Sequence, residues 1–269
     1  MTLAGQRRLV DGAVTIVVCA VCCFMVLPTI IVVPISFSSA DFISFPPVGF
    51  SLRWYELFFN SRQWQNAAAN SFMVATGATA LATILGTMAS LGAMRLSKRM
   101  ATPVTMTFLL PLMMPAIVTA IALYSGYARI GISGTVFGLS LAHAILGLPF
   151  VVINVSAALQ KMDWRTENAA RSLGASPVRA FFLVTLPAIR PGIVAGAAFA
   201  FLTSFDDVVV ALFMSGIDAT TLPVQMWNGI RFEISPAVAA VSTMLLAFSC
   251  IAIAIYFTAR GVTDHVQRP

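Results

Sequence analysis

The sequence predicts an all-α integral membrane protein with six transmembrane helices, and three observations predict it. Hydrophobic residues make up 59% of the 269 and charged residues only 10%, with a mean hydropathy of +0.90. That balance lies far outside the range of water-soluble domains, and one aqueous core could not bury so much apolar surface. The charges are spaced so that they leave long uncharged runs, most of them at or above the roughly 20 residues that a transmembrane helix needs. The basic residues also fall unevenly across the loops. With the N-terminus inside, 12 Lys and Arg lie on the cytoplasmic side and 4 on the other, which is the bias that orients membrane proteins. The net charge of +6 is therefore a matter of topology. Its bases are scattered over loops with few interleaved aromatics, so no nucleic-acid partner is expected.

The uncharged intervals run from Asp11 to Asp41, Arg62 to Arg95, Arg99 to Arg129, Arg129 to Lys161, Arg190 to Asp206 and Glu233 to Arg260. They place helices near 12–35, 67–94, 104–128, 135–158, 191–214 and 236–258. The fifth is charge-free for only 15 residues, yet continues as VVVALFMSG beyond an acidic pair. Pro28, Pro111, Pro115 and Pro149 argue against soluble helices but are tolerated in membrane bundles. Arg7-Arg8, an apolar run and Ser38-Ser39-Ala40 imitate a cleavable signal peptide. The run is too long for an apolar region of about 7–15 residues, so a retained first helix is expected. Trp54 and Trp64 are expected to anchor at the membrane interface. Gly134-x-x-x-Gly138 and Gly192-x-x-x-Gly196 place small residues one turn apart, which lets helices approach closely. The organisation that follows is a tail, first helix and periplasmic segment over 1–66, a transmembrane domain over 67–258, and a cytoplasmic tail over 259–269. Both termini are expected in the cytoplasm.

Cys19, Cys22 and Cys23 lie within the first span and Cys250 within the last, with no matching pair and no nearby His. They are expected to pack as small hydrophobes rather than bind metal. His143 lies in an apolar helix, where a helix–helix hydrogen bond is the ordinary role. No Walker A or HExxH sequence is present, so no means of hydrolysing ATP and no catalytic or metal site is expected in this chain.

The longest polar interruption, DWRTENAARSLGASPVRAFFLVTLPAIRPGI at 163–193, is predicted to form two short helices. Asp163 is placed to cap the first, from Trp164 to about Leu173, and Gly174 to stop it. Ser176-Pro177 reads as an N-cap with proline in the first turn of a second, which is expected to end before Pro187. Glu167, then Ala169 and Ala170, Gly174 and the downstream Leu186-Pro187 resemble the EAA loop of ABC-importer permeases. The resemblance implies that segment 159–190 docks into a cleft on a separate ATPase subunit, which holds the ATP and Mg, and carries its motion to the membrane helices. The positive-inside count independently places this loop in the cytoplasm.

Asp206 and Asp207 interrupt the fifth span. A carboxylate at a helix centre costs about 2.5–3.5 kcal/mol on insertion scales unless hydrated or paired. No Lys or Arg lies at similar depth in the other spans, so water, a second subunit or a cationic solute is the expected partner. Neighbouring helix residues point about 100° apart, so one Asp can face a pathway and the other a neighbouring helix or its N-terminus. The alternative is that both are structural groups at the outer boundary. SFDDVVVALFMSG, the later TLPVQMWNGIRFEISPAVAAVSTMLL and the EAA loop are together similar to permeases of the spermidine/putrescine branch, in particular the second permease subunit. The resemblance implies a type I ABC importer permease fold of five core helices and an N-terminal helix, in a bacterial inner membrane. It further implies ATPase subunits, a sister permease or second copy, and a periplasmic binding protein received by 36–66 and 215–235. Phe205, Phe213, Tyr124 and Trp227 are then candidate cation–π surfaces for such a solute. Related branches carry opines, 4-aminobutyrate, aminophosphonates, thiamine or ferric iron. A self-sufficient secondary transporter or channel would show inverted repeats with paired broken helices, and no convincing second half is visible. An intramembrane enzyme would need a nucleophile–base or metal constellation, which is not seen.

Overall fold

A computed structural model describes residues 3–233 and 235–266, with side chains over 11–97, 99–232 and 235–251. The tail expected at 259–269 lies beyond the described side chains, and its last three residues lie outside the described residues. The described residues are helical and turn structure with no strand. The chain divides into two compact units, one formed by 1–62 with 228–269 and one by 63–227.

In the first unit, α1 (Leu3–Ser36) packs against α12 (Ala237–Val266), and α2 (Arg53–Asn60) packs on α12 as well. The segment after α1 folds back on the helix end. Ser51 N–H donates to the Phe37 carbonyl at 2.8 Å and Ser39 N–H to the Val48 carbonyl at 2.9 Å. Trp54, expected at the membrane interface, uses its polar handle within the fold. It is buried, its Nε1 donates to the Ser38 carbonyl at 3.0 Å, and the Arg53 guanidinium lies 4.3 Å from its ring centre. Arg53 also pairs with Asp41. The exposed apolar side chains of this segment are Phe42, Phe45 and Phe50 instead. Cys19, Cys22 and Cys23 are exposed on α1 and Cys250 on α12.

The second unit holds α3 (Arg62–Met94), α4 (Lys98–Met113), α5 (Ala116–Arg129), α6 (Val136–Lys161), α7 (Trp164–Ser172), α8 (Pro177–Ala180), α9 (Leu186–Phe205) and α10 (Val209–Met214), and most of α11 (Leu222–Asn228). Trp64, expected at the interface, is buried here. Four helical stretches are long and apolar enough to span a bilayer: Asp11–Ser36, Arg62–Met94, Val136–Lys161 and Pro177–Phe205. Taken together, α4 and α5 are long and apolar enough for a fifth, with a sharp bend between them, and a shorter apolar helix covers Ala237–Ile251. Each of the six predicted segments thus falls on apolar helix.

Two segments depart from continuous helices. The third, expected unbroken over 104–128, bends by 102° at Met114-Pro115. Pro115 has no N–H to continue the ladder and crowds the residue before it, driving Met114 to extended backbone at φ −88° and ψ 138°. The fifth, expected over 191–214, ends at Phe205 and restarts at Val209. At its other end it is longer than expected, because the helix begun at Pro177 does not stop before Pro187. A π-helical turn at Phe181–Thr185 joins α8 to α9, with Leu186 N–H bonding back to the Phe181 carbonyl. The wider turn makes room for Pro187, whose ring would otherwise crowd the carbonyl four residues back.

The α6–α9 pair is the spine of this unit. A Cβ on Gly196 would lie 2.8 Å from Val151 Cα, and one on Gly192 would lie 2.7 Å from the Asn154 carbonyl oxygen. Close approach therefore requires glycine at both positions, as the spacing predicts. Gly134 and Gly138 serve differently. Gly134 has φ +79° in the turn before α6, and a Cβ on Gly138 would sit 2.0 Å from the Ile132 carbonyl oxygen. There the glycines admit a tight capped turn, with the Thr135 hydroxyl accepting from Gly138 N–H at 3.0 Å.

Candidate functional site

Two polar constellations sit at opposite ends of the α6–α9 pair. The first is the 163–190 segment. The Asp163 carboxylate accepts from Arg165 N–H at 2.9 Å and the Ser176 hydroxyl from Arg179 N–H at 3.3 Å, so both expected N-caps form. Gly174 takes φ +91°. Ala175 N–H bonds to the Ala170 carbonyl at 3.1 Å and Gly174 N–H to that of Arg171 at 3.0 Å. This is the two-bond Schellman stop that a left-handed glycine allows.

Glu167 reaches across the turn. Its Oε2 accepts a short hydrogen bond from the buried Thr185 hydroxyl in the π-turn. Glu167 is half-buried and Ala170 half-buried, Ala169 is exposed, and Leu186-Pro187 begins α9. Thr185 was not legible as Glu167's partner, because that contact depends on the π-turn. A cleft of about 590 Å³ lies behind α7, lined among others by Arg95, Trp164, Glu167, Arg171 and Phe181. Leu173, Val178, Phe182 and Leu183, which do not line it, are exposed.

The second constellation occupies the break between α9 and α10. Asp206 ends α9 at φ −95° and ψ −3°, its N–H bonded to the Leu202 carbonyl at 3.0 Å. The carboxylates are therefore not in a continuous helix centre: the break gives one of them backbone donors to accept from. Asp207 Oδ2 accepts from Ala211 N–H at 3.0 Å, in the first turn of α10. The same oxygen lies 3.5 Å from His143 Nε2, with the imidazole fully buried and the Asp207 side chain 13% exposed. His143 Nδ1 is 2.9 Å from the Ser204 hydroxyl. The expectation that this chain holds no basic partner for the pair is thus corrected. A histidine carries no fixed charge, so the pattern of Lys and Arg along the chain does not reveal His143 on α6 as the neighbour of Asp207. Its buried, ionisable ring in an apolar helix was the signal.

At 3.5 Å the His143–Asp207 contact is longer than a full hydrogen bond, and Nε2 has no other partner. Asp206, by contrast, is exposed and its carboxylate has no hydrogen bond or ion pair among the described residues. Phe205 is half-buried in a cluster with Phe72 at 5.1 Å and Phe201 at 5.7 Å between ring centres. Tyr124 and Trp227 stand apart. Both are nearly half exposed, and neither shares a hydrogen bond or ring contact with 205–207 among the described residues.

Beyond the break, segment 215–222 is fastened to α3. Asn70 Nδ2 donates to the Asp218 and Thr220 carbonyls at 2.9 and 3.0 Å, and the Ser71 hydroxyl accepts from Leu222 N–H at 2.7 Å.

Residues 82–268 match the family described as "Binding-protein-dependent transport system inner membrane component". The chain is 31% identical over 253 residues to the Putrescine transport system permease protein PotI of Escherichia coli (strain K12), covering 91% of this chain and 90% of that one. It is 34% identical to the Spermidine/putrescine transport system permease protein PotC of Haemophilus influenzae, covering 84% of this chain and 88% of that one. In fold it is similar to a chain of a bacterial ABC transporter involved in the import of the acidic polysaccharide alginate. The TM-score is 0.72 at 14% identity, covering 97% of this chain and 98% of that one.

Proposed function

The chain belongs to the family of binding-protein-dependent transport system inner membrane components, and from that premise we propose that it is the permease subunit of a polyamine importer. The solute assignment is carried by relatives named for putrescine and spermidine at 31 and 34% identity over most of the chain. An exposed carboxylate beside an aromatic cluster at a helix break supports it, since ammonium groups are held by negative charge and ring faces. The chain is a transport component and not an enzyme. ATP and Mg belong to partner ATPase subunits that engage the 163–190 loop from the cytoplasm, where both termini also lie. Glu167, Ala169, Ala170 and Gly174 shape that contact, and Leu186-Pro187 passes its motion into α9. A sister permease or second copy completes the pathway, and a periplasmic binding protein delivers the solute to it. Transport is by alternating access.

Purification of the intact complex followed by mass spectrometry should recover an ATPase, a permease partner and a polyamine together. Uptake should then be lost in at least one of Asp206→Asn and Asp207→Asn while expression and assembly persist. Normal putrescine uptake in both variants, or an intact complex that carries only a neutral or anionic solute, would overturn the polyamine reading and leave family membership untouched.

A further inference from the structure

We propose that His143 is a positioning residue: it commits Asp207 to the architecture of the α9–α10 break and leaves Asp206 as the carboxylate that meets the cationic solute. This rests on the polyamine reading and says which carboxylate does what. Asp207 Oδ2 accepts from Ala211 N–H at 3.0 Å and faces the buried His143 Nε2 at 3.5 Å, with only 13% of the side chain exposed. An ammonium group would have to displace the Ala211 bond and enter against the imidazole. Asp206 projects from the same break, exposed and without a side-chain partner among the described residues.

His143 is itself fully buried and does not reach the solute. Its ring is oriented by Ser204. When the hydroxyl donates to Nδ1, the imidazole carries its proton on Nε2 and points it at Asp207. The residue sits on α6, whose other end leads into the coupling segment through α6–α9 packing that allows no Cβ at Gly192 or Gly196. A shift of α6 therefore bears on the break through His143. Two free neighbouring carboxylates would repel each other and stay hydrated. Engaging Asp207 within the break leaves Asp206 as the carboxylate free to meet an ammonium group.

The test measures initial rates of putrescine uptake by the intact complex in proteoliposomes, normalised to assembled complex. Asp206→Asn should raise KM by about tenfold with little change in maximal rate, as loss of a solute contact does. His143→Ala and Asp207→Asn should each lower the maximal rate about tenfold at nearly unchanged KM, and the double variant should be no worse than either single. A rise in KM for Asp207→Asn equal to that of Asp206→Asn overturns the proposal, as do His143 and Asp207 effects that multiply. A second measurement needs no uptake and covers the case in which His143→Ala fails to assemble. With Cys19, Cys22, Cys23 and Cys250 replaced by Ser, D206C should react with a cationic thiosulfonate about ten times faster than D207C. Equal rates overturn the division between the two positions. A wild-type complex that carries no putrescine while the labelling difference holds refutes the solute and not the positioning.

Discussion

The two ends of the α6–α9 pair are built by different physics. At the coupling end most hydrogen bonds are local: Asp163 caps two residues ahead, Ser176 three residues ahead, and even the Glu167–Thr185 bond spans only 18 residues. At the other end they cross the chain. His143 and Ser204 are 61 residues apart, Asn70 and its two carbonyls 148 and 150, Ser71 and Leu222 151. The coupling end keeps its shape by backbone rules and leaves Leu173 89% exposed. Tertiary contacts hold the break and the segment beyond it, from His143 to Ser204 and from Asn70 and Ser71 to 218–222, while the Asp206 carboxylate stays exposed. A surface meant for a partner must be preformed and uncovered. A solute site must be assembled by helices that also have to move.

The harshest way to break this comparison is to part the helices between the ends. Gly196→Leu would drive a side chain into Val151 Cα, 2.8 Å from where its Cβ would stand. Overpacking costs about 1–3 kcal/mol or more. The purified protein should show a clearly lower Tm and both ends should fail together; an unchanged Tm would mean that the pair is not the spine. Gly174→Asp acts on the coupling end alone. The position is open, with nothing within 4 Å of a Cβ, so the penalty is the φ of +91°, about 1–2 kcal/mol for a side chain in left-handed backbone. Uptake and ATPase co-purification should fall while membrane abundance holds, and normal values for both would remove the loop from coupling.

Asn70→Ala sharpens the opposite end. Two carbonyls lose their donor, a loss of about 1–3 kcal/mol that stays local. Hydrogen exchange should quicken in 215–222 and not in 163–176; acceleration in both would show the ends to be one cooperative unit. The mildest change is Thr185→Val, which removes the Glu167 partner at about 1 kcal/mol. Uptake should drop a few-fold with Tm nearly unchanged, and a fully active variant would show the Glu167–Thr185 bond to be dispensable.

What could be read from the sequence follows the same division. Asp163, Gly174 and Ser176-Pro177 announce themselves because caps and left-handed stops are set within four or five residues. The Gly192–Gly196 spacing was legible for the same reason. The identical spacing at Gly134 and Gly138 misled, since a turn before α6 uses the glycines that a helix face would. Prolines marked trouble without saying what kind. Pro115 breaks its span by 102°, whereas Pro187 is absorbed by one wide turn. The acidic pair was visible, but the helix break that caps Asp207 and the His143 that faces it are consequences of packing, which no local window contains. Trp54, expected at the interface, is buried and donates to the Ser38 carbonyl, a contact set by the fold-back of the chain after α1.

The most direct test of the account is accumulation of radiolabelled putrescine by proteoliposomes that hold the chain with its co-purified partners and binding protein, wild type beside Gly174→Asp and Asp206→Asn. The account predicts uptake that requires ATP, is competed by spermidine, is lost with the coupling-end change and is weakened in KM by the change at the break. Uptake that proceeds without ATP, or ATP-driven uptake of a neutral or anionic solute with putrescine ignored, would contradict it.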